Sequence, residues 1–482
     1  MLQQMKGAKK MYRKDWKIIY SSAEGVEARA LEFLYGEMGD YMLRNKEDYA
    51  LHTLPCIKAD KTTPDTNAVI IGQWKENEQL QKFIKEDEVP ENGYFIRIKS
   101  NPENPEKQLI LIAGANPVNV LYGVVKFMDD ILYQTAYNDG NGVIIDTNFF
   151  FRPFQEMDFA DAPETDVRSI FTWAHPIGNF QEYFKNAARL KFNRVYMWNE
   201  YPPINAKEVV DYAHSWGIEV FWGFSWGWST RCEITDISDL KAISTPILKE
   251  WHDVWSRLPG DGIYFQSFTE TIEKELNGKS IAECVTEMVN YVANEILTER
   301  PGLKIVFGLH ALSVKEKVSV ISKTDPRLLI LWEDCGRFPF THMTFPFTPE
   351  ENKAFVRKLF AEKHAMGLVY KGQLMQNWGT FAHQSGPYIM GHNGKKMQMI
   401  DLEVTETSWK FYDAYWSENG KLAYDLAQVI HQEGGKSIEL NIAAQLNGPS
   451  HWPTAYVAEL FWNSSRSYEE IIRTVKHRKW LI

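Results

Sequence analysis

The chain lacks any apolar run long enough to cross a membrane: nothing in it approaches the roughly 18–20 uninterrupted residues that a spanning helix needs. It is also short of positive charge. The 53 lysines and arginines are outnumbered by 63 aspartates and glutamates, for a net charge of −10, and no long basic run occurs. That balance argues against a nucleic-acid or anionic-membrane partner. Cysteine is scarce: Cys56, Cys232, Cys284 and Cys335 are scattered, with no two at metal-ligand or redox-pair spacing. Free thiols in a reducing, cytoplasmic setting are therefore expected. The residues from Met1 to Lys10 carry positive charge with no apolar segment behind them, which does not read as a secretory signal. The sequence holds no His-Glu-x-x-His, no calcium loop and no glycine-rich phosphate loop after a strand, so neither a metal nor a cofactor is expected.

What is present is ordinary globular usage with one excess. Apolar residues make up 44% and charged residues 24%, and the 482 residues suit two or three domains of roughly 100–200 each. The excess is aromatic: 14% of the chain, including 17 tryptophans.

Residues 1–150 read as a small α/β domain. Trp16 to Tyr20 predicts a short strand, and Ala28, Leu31, Phe33, Leu34 and Met38 recur at helical spacing after it. Asn67-Ala68-Val69-Ile70-Ile71-Gly72 predicts a buried strand. Gly93-Tyr94-Phe95-Ile96-Arg97-Ile98 and Leu109 to Ala113 predict a hairpin across a proline-containing turn. After Ile112-Ala113-Gly114-Ala115, Asn116 can cap a helix with Pro117 in its first turn, running on through Leu121-Tyr122-Gly123-Val124 to Ile131. This succession resembles the N-terminal α/β domain that precedes the catalytic barrel in β-hexosaminidases and xylan α-glucuronidases.

From about residue 166 strands and helices alternate, the mark of a parallel sheet with crossover helices. Strands are predicted at 167–173, 194–198, 219–224, 262–265, 304–307, 328–332 and 368–370, with helices at 180–190, 206–216, 280–297 and 349–364. The best eighth strand is Tyr388-Ile389-Met390. Eight such units make a (β/α)8 barrel. The expected fold is thus α/β: a small N-terminal α/β sandwich (1–150), a (β/α)8 TIM-type barrel (151–400) and a helical C-terminal segment closing the barrel (401–482). Within that segment, the aromatic patch from Trp409 to Trp416 reads as packing, a homodimer contact or a pocket wall. The run from Ala455 to Glu470, with its Trp462-Asn463 step, resembles the closing helix of related glycosidase barrels.

In such a barrel the chemistry sits where the strands end. Those ends carry Trp173 and His175; Trp198, Asn199 and Glu200; Trp222 and Trp226; Gln266 and Glu270; His310; Trp332, Glu333 and Asp334; then Arg337, Lys371, Gln373, Asn377 and Trp378. Amides and carboxylates suit sugar hydroxyls, and indoles suit the C–H faces of sugar rings, so the rim predicts a carbohydrate ligand. Glycoside hydrolysis normally uses two carboxyl groups, one acid and one base or nucleophile. Glu270, in largely uncharged surroundings, is the candidate acid, and Glu333 or Asp334 the second group. Glu200 is held in reserve.

The resemblance implies the same layout in part. In α-glucuronidases the acid is a Glu after the fourth strand, which Glu270 matches. Carboxylates after the sixth and seventh strands position water for inversion. Glu333 or Asp334 matches the first of these, whereas Lys371 to Trp378 contains no carboxylate. The adjacent Asp-Glu of the β-hexosaminidases is replaced here by Thr269-Glu270. The sequence therefore predicts an exo-acting glycosidase that removes a terminal sugar, uronic or N-acetylated, from a short oligosaccharide. Two alternatives stay open: a catalytically inactive carbohydrate-binding protein on the same fold, and a polysaccharide lyase with a His or Tyr base.

Overall fold

A computed structural model describes residues 16–43, 54–132, 137–138, 143–144, 154–172, 177–198, 201–227, 238–268, 274–276, 278–310, 315–333, 348–362, 364–373, 387–391, 395–435, 437–444, 446 and 452–478. The chain forms two compact units. One comprises residues 1–163, 215–217 and 472–482; the other comprises 164–214 and 218–471.

The first unit is built on a six-stranded mixed sheet. In chain order its strands are β1 (Trp16–Tyr20), β2 (Cys56–Lys58), β3 (Asn67–Gln73), β4 (Tyr94–Asn101), β5 (Asn104–Gly114) and β6 (Met157–Asp161), arranged β2-β1-β3-β5-β4-β6. β1, β2, β3 and β5 run parallel, while β4 is antiparallel to both β5 and β6. Helix α1 (Gly25–Leu43) follows β1, and α2 (Pro117–Lys126) follows β5. The cap of α2 is the one that the sequence predicts: Asn116 accepts from the Asn119 N–H at 2.9 Å, and Pro117 occupies the first turn, where a missing N–H costs nothing. The helix does not run on regularly as its spacing suggests, because Phe127–Leu132 widens into a π-helix.

The second unit is a closed barrel of eight parallel strands: β7 (Val167–Phe171), β8 (Arg194–Trp198), β9 (Glu219–Ser225), β10 (Gly262–Gln266), β11 (Lys304–His310), β12 (Leu329–Glu333), β13 (Met366–Gln373) and β14 (Glu439–Ala444). The strands follow one another around the barrel, with β14 between β13 and β7. Helices α3 (Phe180–Arg189), α4 (Ala206–Ser215), α5 (Leu240–Asp253), α6 (Ile281–Glu299), α7 (Pro349–Ala361), α8 (Lys395–Gly434), α9 (Trp452–Trp462) and α10 (Tyr468–Lys476) complete the order. Their starts follow ordinary capping chemistry: Asn179 accepts from Glu182 N–H, and Thr348 and Glu351 form a reciprocal capping box. Among the described residues no helix is long and apolar enough to cross a membrane.

The eighth strand differs from the expectation. Tyr388 makes only an isolated bridge to Pro203, and the barrel is closed by Glu439-Leu440-Asn441-Ile442-Ala443-Ala444, inside the segment read as helical. The alternating polar residues hid it. Glu439 and Asn441 are fully buried, yet Ser169 and Tyr196 each donate to Glu439 at 2.6 Å, Arg194 donates to it at 2.5 Å, and Asn441 donates to Ser169 at 2.8 Å. Arg194 also pairs with Glu219, which in turn holds Lys304. These residues begin their strands, so the network forms the amino-terminal floor of the barrel, where TIM-type barrels carry stability rather than chemistry. Removing one partner of a buried ion pair strands the other. Arg194→Met is accordingly expected to cost about 3–5 kcal/mol of folding stability, read by denaturant unfolding.

A second polar cluster sits near the start of β7. His431 bridges Thr165 Oγ1 and Ser464 Oγ at 2.7 Å each, with Glu164 3.2 Å from its Nδ1. Burial lowers the His431 pKa from its ordinary 6.5, against the opposing pull of the Glu164 charge. The folded protein then binds this proton more weakly than the unfolded chain does. The contribution is therefore complete above pH 6.5 and is lost as the pH falls through the lowered folded value. Unfolding free energy measured between pH 7.5 and pH 5 is expected to decline in the native protein and to decline less in His431→Gln.

Candidate active site

The barrel interior is filled by a central layer of Phe171, Tyr196, Phe221, Tyr264, Val306, Leu331, Val369 and Ala443, one from each strand. Side chains alternate between the two faces of a strand. Two residues further toward the carboxyl ends, the inward positions are therefore Trp198, Gly223, Gln266, Gly308 and Glu333. This upper layer brings together residues that lie 135 positions apart in the chain, from 198 to 333.

Glu333 is its chemical centre. Only 1% of it is exposed, at the carboxyl end of the sixth barrel strand. Its Oε1 accepts from the Tyr264 hydroxyl and, at 2.5 Å, from Gln266 Nε2. Gln266 Nε2 also lies 3.1 Å from the Tyr264 hydroxyl, so the three groups form a closed triangle. Burial first, and the Glu333 charge second, push the Tyr264 phenol well above its usual pKa, so it remains a donor. Donors of this kind favour the ionised form of the acceptor carboxyl.

One glycine makes room for the triangle and a second for the indole beside it. A Cβ at Gly308 would stand 1.8 Å from the Tyr264 hydroxyl oxygen, so the phenol occupies the space a side chain there would fill. A Cβ at Gly223 would come within 2.7 Å of the Trp198 ring. Trp198 thus lies across the glycine, partly buried against the central layer, with its ring edge-on to Tyr264 at 5.7 Å between centroids.

The tryptophans divide by strand face. Trp198 points inward. Trp222 and Trp332 occupy outward positions and are buried: Trp222 donates to the Pro259 carbonyl at 2.6 Å, and Trp332 meets Phe355 of α7 edge-on. Trp226, just past β9, is fully buried and stacks on the outward-facing Phe265 at 3.6 Å. Expected at the wall of a sugar pocket, these three are buried on the outer side of the strands. Period two places Trp222 and Trp332 there, since each lies one step from an inward residue, and stacking on Phe265 places Trp226.

His310, Lys371 and Gln373 are placed by backbone. His310 is in register with Glu333, and Gln373 with Ala444 after an irregularity following Tyr370. Glu270, Asp334, Trp173, His175, Asn199, Glu200, Arg337, Asn377 and Trp378 lie outside the described residues. Directly before the Thr269-Glu270 step, Phe268 adopts φ 48°, a left-handed backbone that a non-glycine residue holds only at a cost of about 1–3 kcal/mol.

Sequence reasoning missed Tyr264 and Gly308. The available signals were Tyr264-x-Gln266, which puts two donors on one strand face, and a glycine inside the apolar run of β11.

No family model and no curated protein matches the chain. Solved structures with a similar chain course are glycoside hydrolases. One is BtGH115A, a family GH115 4-O-methyl-α-glucuronidase with specificity for decorated arabinogalactans: identity is 13%, the match covers 94% of this chain and 57% of that one, and the TM-score is 0.49. CpGH84D gives 11% identity, 95% and 68% coverage, and a TM-score of 0.49. A family 89 glycoside hydrolase from Clostridium perfringens gives 8%, 98% and 52%, and 0.45. The chain spans 57% of the first of these, and likeness at this level concerns the fold, not the substrate or the mechanism.

Proposed function

We propose that this protein is a metal-independent glycoside hydrolase in which Glu333 is the ionised carboxylate that activates water or attacks the anomeric carbon, and Glu270 is the acid that protonates the leaving oxygen. The observation that carries the reading is the placement of Glu333: inward, at the carboxyl end of a barrel strand, and fed by two neutral donors on one oxygen. Carboxyl ends of TIM-type strands are where catalytic residues of that fold gather, and a carboxylate stabilised by donors is suited to the base or nucleophile role. The strained backbone at Phe268 supports a functional role for the loop that follows, because strain of this kind collects at active sites.

Trp198, the one inward tryptophan of this layer among the described residues, is proposed as the surface against which the sugar ring rests, and Gln266 as part of the hollow's floor. The substrate is proposed to be the terminal sugar of a short oligosaccharide, uronic or N-acetylated, taken in exo fashion without a cofactor. Asn199, Glu200, His175 and His310 are proposed to bind its hydroxyls.

A panel of aryl glycosides (glucuronide, N-acetylhexosaminide, glucoside and galactoside, both anomers) tests this directly. Turnover of at least one member is expected. Glu333→Gln is expected to lower kcat by about 10²–10⁴-fold on that member with KM little changed. Glu270→Gln is expected to spare sugars with good leaving groups and to lose those with poor ones. Binding without hydrolysis across the whole panel would instead favour the non-catalytic carbohydrate-binding reading.

A further inference from the structure

Tyr264 cannot meet a substrate. It is fully buried, and Phe171, Tyr196 and Trp198 surround it with ring centroids at 4.8, 5.4 and 5.7 Å. Whatever it does for the reaction it does through Glu333, to which its hydroxyl donates.

We propose that Tyr264 is a positioning residue for turnover: its hydroxyl, seated in the space left open by Gly308, fixes the orientation of the Glu333 carboxylate and sets the pH at which that carboxylate ionises. This rests on the reading of Glu333 as the ionised group of a hydrolase. Three features carry it. The Tyr264 ring is enclosed by the aromatic collar, and its hydroxyl donates to Glu333 Oε1. Gln266, two residues along the same strand face, donates to the same oxygen at 2.5 Å and lies 3.1 Å from the phenol, so the carboxylate is held from two directions. Gly308 stands where any Cβ would displace the hydroxyl, at 1.8 Å. A hydrogen bond to an ionised acceptor is worth more than one to its protonated form, so losing the donor makes the proton harder to remove.

Tyr264→Phe keeps the ring and removes only the donor. It is read against the native protein by turnover of the aryl glycoside panel and by infrared titration of the Glu333 carboxyl, with Glu333→Gln as the subtraction. The expected result is a Glu333 midpoint about one pH unit higher, the acidic limb of kcat moving with it, and kcat about tenfold lower with KM within twofold. Gln266→Met, which removes the neighbouring donor, is expected to move the midpoint in the same direction. It serves as the second variant should Tyr264→Phe not fold. A Glu333 midpoint and acidic limb unmoved in these variants would overturn the proposal, even if stability or kcat fell. Full turnover by Glu333→Gln would sink the assignment of Glu333 as the ionised group of the reaction, and Tyr264's role in turnover with it, whereas an absence of turnover across the panel by the native protein would sink the hydrolytic reading. The failures are therefore told apart by which protein, native or variant, produces them.

Discussion

Closure of eight parallel strands imposes one rule on the side chains of the barrel strands: alternate residues face in or out, with no edge at which to escape the choice. Inward residues must fill the interior in layers, and outward ones must meet the helices. The central layer takes one aromatic or aliphatic residue from each strand, and that filling sets everything above and below it. A residue's neighbours in space are then its counterparts on adjacent strands rather than its neighbours in sequence.

The two ends of this interior treat the same amino acid differently. At the floor Glu439 meets a guanidinium, a hydroxyl and a phenol, and its charge is neutralised by Arg194 within a ring that continues through Glu219 to Lys304. At the carboxyl end Glu333 Oε1 accepts from a phenol and an amide. The first arrangement is a structural ion pair. Tyrosine takes part in both, Tyr196 below and Tyr264 above.

Space matters as much as polarity in the upper layer. Gly223 and Gly308 are inward positions at which the missing side chain is replaced by a ring from an adjacent strand, Trp198 in one case and Tyr264 in the other. Packing density is thereby kept while the Tyr264 hydroxyl reaches Glu333. The left-handed backbone at Phe268 adds a local cost at the end of β10, in the strand that supplies Tyr264 and Gln266.

Much of this was legible from the chain alone, because local rules suffice where an element satisfies itself. The cap at Asn116, the hairpin of β4 and β5, seven barrel strands and the placement of Glu333 and Gln266 at strand ends all follow from spacing and residue type. Tertiary structure decided the rest. Trp222, Trp226 and Trp332 cluster near strand ends as Trp198 does, yet Trp198 faces into the barrel and the other three pack outside it. The strand Glu439–Ala444 lay within a segment read as helical, and the partners of its buried Glu439 are Arg194, Tyr196 and Ser169, more than 240 residues earlier. Periodicity is written in the sequence. Which polar groups complete one another is settled only when a closed barrel brings distant strands side by side.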